Sequence, residues 1–173
     1  MPSKNPDKSM QNFKKRYGEV SDYQEIFELI KEGVESAIGR RRSGLMLGLA
    51  DLGIRPNGFI GAFYPVSSNV IVMNRTILRI IESTKPKMLK PYVFHVLMHE
   101  YLHSLGIIDE KQTELLTYRI NLRLFGEDHP VTRMSFEFNK ILPQGVLSHV
   151  NWGTETPSRI EIVDDFEKTD YIG

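Results

Sequence analysis

Cysteine is absent from the 173 residues, which removes disulfides, thiolate metal sites and nucleophilic thiols together. Also missing is any apolar run near the roughly 18 residues that would cross a bilayer. The opening Met1-Pro2-Ser3-Lys4-Asn5-Pro6 has none of the hydrophobic stretch of a secretory signal. A cytoplasmic protein without a membrane partner is therefore expected. Charge of neither sign prevails: 22 basic and 22 acidic side chains cancel. No overall field recruits nucleic acid or an anionic surface, and nucleic acid is not expected as a partner. There is no internal repeat and no low-complexity block.

What remains, 40% hydrophobic and 25% charged, is enough for one domain with a core. Residues 1–18 carry Lys4, Lys8, Lys14, Lys15 and Arg16 among few apolar groups and are expected as a flexible basic arm. Residues 19–150 form the expected domain, and residues 151–173 an irregular acidic tail. Within the domain, Ser21 with Gln24 suggests a capped helix with Ile26, Phe27, Ile30, Val34 and Ile38 as its stripe. Arg40-Arg41-Arg42 reads as a solvated surface cluster or as a partner of a helix macrodipole and nearby acids. Leu45 to Leu52 reads as a short helix ending at Gly53. Gly58 to Tyr64 and Asn69 to Met73 read as a hairpin around Pro65-Val66-Ser67-Ser68. Asn74 would cap a helix over 75–83, and Lys85-Pro86-Lys87 would end it.

The most informative residues are His99-Glu100-Tyr101-Leu102-His103, an H-E-x-x-H pattern inside the apolar segment Val93 to Leu105. With five histidines in the chain, roughly 0.01 chance occurrences are expected. Four residues of helix place the two imidazoles one above the other on one face, where both can hold one ion. Glu100 lies beside that stripe, where a general base reaches a metal-activated water. Pro91 near the start and Gly106 at the end predict a helix over about 91–105, independently of the motif. His95 extends the stripe by one turn and reads as a half-buried histidine, because three ligands on consecutive turns would span about 12 Å. His129 and His149 stand alone in the sequence.

Catalytic zinc takes three protein ligands and leaves a position for water, so a further donor is needed. His99 to Asp109 reads H-E-x-x-H-x-x-G-x-x-D. It resembles the metzincin signature, in which a glycine turn returns the next ligand to the metal. The chain thus looks like a small zincin metallopeptidase. That resemblance implies His99, His103 and Asp109 as zinc ligands, Glu100 as catalytic base and a peptide or protein as substrate. It also implies a strand beside the cleft that pairs with extended substrate.

Asp109 is equally placed to cap a following helix with Gln112. A helix over about 110–124 would then run back along the first and bring Glu114 or Glu110 to the histidines, as in gluzincins. The identity of the third ligand stays open among Asp109, Glu114 and Glu110. The expected fold is α+β and zincin-like: a short hairpin or sheet packed on several helices, with the cleft between hairpin and site helix. Tyr118 or His149 could supply an oxyanion donor, and Asp164, Asp165 and Glu167 could lie across the cleft. Met134 reads as core, although its distance from Asp109 resembles that of a methionine turn.

The favoured function is zinc-dependent peptide hydrolysis. Alternatives are a metal-dependent endoribonuclease or RNA-processing factor, whose family resemblance lacks the helix glutamate, and a zinc-stabilised interaction module without catalysis.

Overall fold

The computed structural model describes residues 5–143 and 159–163. Among them lie six α-helices and a four-stranded mixed sheet, which is the expected α+β class. Strands β1 (Met46–Ala50) and β3 (Val70–Asn74) pair in parallel, with Gly48 opposite Val72. Strand β2 (Ala62–Phe63) joins β3 antiparallel, and β4 (Glu161–Val163) joins β1 antiparallel, in the order β2-β3-β1-β4. The expected hairpin is therefore present, with a first strand shorter than the sequence suggested.

Leu45 to Leu52 is not a helix. A short apolar run carries no periodicity that separates buried helix from buried strand, and here hydrogen bonding on both sides makes β1 a central strand. Gly48 marks the close approach: a Cβ on it would stand 2.8 Å from the Ile160 side chain.

The helices are α1 (Pro6–Glu19), α2 (Tyr23–Ile38), α3 (Arg75–Thr84), α4 (Leu89–Ser104), α5 (Glu110–Phe125) and α6 (Pro130–Glu137). Residues 1–18 were expected as a flexible arm, but residues 6–19 form α1. Asn5 caps it and Pro6 opens it. Phe13 is buried, and its ring meets Phe94 and Phe125 edge-on at 6.4 and 5.4 Å. Two aromatic side chains four residues apart, Phe13 and Tyr17, suffice to dock this otherwise polar helix.

Helix α2 is capped by Asp22 with Glu25 in a reciprocal box, one residue beyond the expected Ser21 and Gln24. Asn74 caps α3 as expected, accepting from the Thr76 N–H. Part of the expected tail is strand β4. Asp164, Asp165, Glu167 and His149 lie outside the described residues.

Helix α4 runs through the middle, packed on α2, α5 and α6. It begins at Leu89, two residues before Pro91. From Pro91 to Ser104 every residue is buried except His95, His99, Glu100 and His103. A helix buried almost all round reads as continuously apolar, and its one wet stripe is the motif.

Candidate metal centre and cleft

The end of α4 builds the site. Leu105 is the C-cap, and Gly106 takes φ +93°, a left-handed value that a side chain would strain. Gly106 N–H donates to the His103 carbonyl at 2.9 Å, and Ile107 N–H to the Leu102 carbonyl at 3.3 Å. This is the glycine-terminated helix end that satisfies the last carbonyls. It also returns the Ile107 carbonyl to 2.7 Å from His103 Nδ1. That carbonyl can only accept, so His103 Nδ1 donates to it, and the neutral imidazole with its proton there has its lone pair at Nε2.

Two residues later Asp109 caps α5, its Oδ1 accepting from the Gln112 N–H at 2.8 Å. The capping reading of Asp109 is the one the geometry fits, and its carboxylate is directed to its own helix. The next residue faces the histidines. Glu110 Oε1 lies 2.7 Å from His99 Nε2, and Oε2 lies 3.2 Å from His103 Nε2. Glu114 lines the cleft further along α5. Consecutive residues on a helix point about 100° apart, so when the first serves as cap the second can turn to the cleft.

The two Nε2 atoms stand 3.1 Å apart, near the roughly 3.3 Å that two nitrogens bound tetrahedrally to one zinc would show. His99, Glu100 and His103 each offer a ligand atom within 4.8 Å of the others, a group that could hold a metal ion. Burial holds His99 below the ordinary imidazole range. The neighbouring His103 adds to that shift, while Glu110 opposes it. With His99 neutral, its contact with Glu110 is a hydrogen bond rather than an ion pair.

Two imidazole Nε2 atoms and two carboxylate oxygens therefore converge on one spot. Nitrogen and oxygen donors gathered this way can bind a cation placed between them. The donor set, two histidines and a glutamate, is one that catalytic zinc takes.

Glu100 sits beside the two imidazoles and Glu110. Burial, reinforced by the Glu110 charge, pushes its carboxyl up to about 8, against the pull of a hydrogen bond from the Tyr64 N–H. That bond ties the Glu100 carboxylate to the chain just after β2. His95, one turn upstream, is depressed to about 4 by burial. Its ring packs 5.8 Å from Phe138, which fits the half-buried histidine expected.

The arginines of the cluster each find partners within the chain. Arg40 donates to the Leu105 carbonyl at 2.6 Å, and Arg42 to the Ser104 carbonyl at 3.0 Å, meeting the negative end of α4. Arg42 also donates to the Tyr64 hydroxyl and the Ser68 carbonyl at 2.7 and 2.8 Å, fastening the hairpin turn to the site helix. Arg41 pairs with Glu28 and Glu35.

The cleft has two lobes. The first, about 680 Å³, reaches from Phe59–Ala62 across His99 to α5 and α6. The second, about 600 Å³, lies between Tyr64–Ser67, His103 and Gly106–Ile108. Ala62, Glu100 and Glu110 line both. Tyr118 lines the first lobe, edge-on to Phe136 at 5.1 Å. Met134 is buried in α6 as core. The sequence reading missed the orienting Ile107 carbonyl, the Tyr64 N–H and the Arg42 clamp, because backbone donors and long-range contacts leave no residue-type signal. The glycine turn at Gly106, by contrast, was visible in advance.

No protein-family model, curated protein or solved structure matches the chain.

Proposed function

We propose that the protein is a zinc-dependent metallopeptidase, with His99, His103 and Glu110 as ligands and Glu100 as general base. The observation that carries this reading is the convergence of the two imidazoles, 3.1 Å apart, with the Glu110 carboxylate set across both. A zinc ion held there supplies Lewis acidity, bringing the pKa of water to about 7 and polarising a carbonyl.

The chain's own residues do the rest. Ile107 holds His103 in its ligating tautomer. Glu100, with its proton affinity raised to about 8, accepts the proton of the attacking water and returns it to the departing amine, a role that asks for a pKa near the working pH. Strand β2 borders the cleft at Ala62, where an extended peptide could lie alongside it. The fold is read as zincin-like on the same grounds, and the glutamate at the start of the next helix resembles the gluzincin arrangement more than the metzincin one.

The nucleic-acid alternative loses support from the arginines, each of which already bonds to a carbonyl or an acid of the same chain. The test is peptide hydrolysis by zinc-loaded protein. Glu100→Gln should lower kcat by about 100-fold or more while zinc content stays unchanged. Full activity in Glu100→Gln would refute the mechanism.

A further inference from the structure

Among the described residues seven large apolar side chains are exposed, and five of them line the two lobes of the cleft. Ile60, Leu115 and Phe136 border the lobe that contains His99. Val66 and Ile108, 75% and 73% exposed, border the lobe that contains His103. Clustered apolar exposure of this kind marks a binding surface, whereas scattered residues do not. The first lobe also carries Glu114 beside Glu100 and Glu110, against the single cation Lys111.

Resting on the peptidase reading above, we infer that the substrate is an extended peptide segment with a large apolar side chain on each side of the bond that is cut, and no carboxylate beside it. The lobes meet at Ala62, Glu100 and Glu110, so the reacting centre lies between two apolar surfaces. A small apolar molecule fills one lobe. An extended polypeptide places successive side chains on opposite sides of its backbone and fills both while carrying its amide over Glu100. A further carboxylate would meet the acids of the first lobe.

The test uses full-length, zinc-supplemented protein and Ser/Gly/Thr peptides carrying a central Leu-Phe, Leu-Ala, Ala-Phe or Leu-Glu pair. The Leu-Phe peptide should be cleaved with kcat/KM about tenfold or more above each of the others. Phe136→Ser should remove the preference at one position and Ile108→Ser at the other. Both side chains are exposed, so the fold tolerates these changes. Cleavage without preference, or preference that survives both substitutions, overturns the inference and leaves the peptidase reading standing. A parallel anisotropy measurement uses Glu100→Gln protein and a labelled Leu-Phe peptide against a Ser-Ser one. If no peptide is cleaved but Leu-Phe binds selectively with the same variant dependence, the apolar groove stands and the peptidase reading falls. Absence of both cleavage and binding overturns both.

Discussion

His103 and Ile107 are joined by a 2.7 Å contact between the imidazole Nδ1 and the backbone carbonyl, and Gly106 between them makes it possible by turning left-handed at φ +93°. Gly106→Ala should cost about 1 kcal/mol or more in stability through backbone strain. Loosening the ring should also weaken zinc binding by about 10-fold to 100-fold. Chemical denaturation together with a competitive zinc titration reads both. Unchanged affinity would show that the turn does not orient the ligand.

Glu100 is stabilised in its protonated form by burial, with a folded pKa of about 8 against an ordinary value near 4.3. A raised carboxyl binds more protons folded than unfolded, so its contribution is complete below the unfolded pKa and is lost as pH rises towards 8. In metal-free protein Glu100→Gln should therefore raise stability at pH 8 by on the order of 2 kcal/mol, with little effect near pH 4. The glutamine oxygen still accepts from the Tyr64 N–H. Denaturation of the two proteins in chelator at the two pH values checks this, and equal stability at both would contradict the burial argument.

His129 shows the opposite sign. Its Nδ1 accepts from the Val131 N–H at 3.2 Å as the cap of α6, and its ring stacks on Phe125 at 4.3 Å. Burial, with the Lys14 charge nearby, depresses it to about 4. The unfolded chain then binds the extra proton, so stability is complete above about pH 6.5 and is lost as pH falls through 4. His129→Asn keeps a capping oxygen and removes this titration. Its unfolding free energy should fall less steeply than wild type between pH 6.5 and 5, the difference not exceeding about 1.4 kcal/mol per pH unit.

Phe13 anchors α1 between Phe94 and Phe125. Phe13→Ala should destabilise the protein by about 3 kcal/mol and expose residues 6–19 to proteolysis. Native-state proteolysis followed by mass spectrometry locates the first cut. Unchanged cleavage and stability would restore the mobile-arm reading.

The site helix was legible because its histidine stripe interrupts an apolar background and its end is marked by glycine. The following helix was legible too, with Asp109 read both as a metal ligand and as its cap. Which acid meets the imidazoles was not, since Asp109 and Glu110 differ by one position and only the fold decides which serves as cap. Strand β1 was misread because burial on both faces erases the alternation that identifies a strand. Helix α1 was missed because two aromatics among lysines carry little periodic signal, although they contact a core the sequence does not place beside them.

The most direct test of the metal centre is zinc binding measured by competition with a chromophoric chelator on wild type, Glu110→Ala and Asp109→Ala. One equivalent should bind to wild type and to Asp109→Ala, which loses only a helix cap worth about 1 kcal/mol. Glu110→Ala should lose affinity by about 100-fold or more. Zinc binding that survives Glu110→Ala and fails in Asp109→Ala, or that is missing from wild type, would contradict the coordination proposed here.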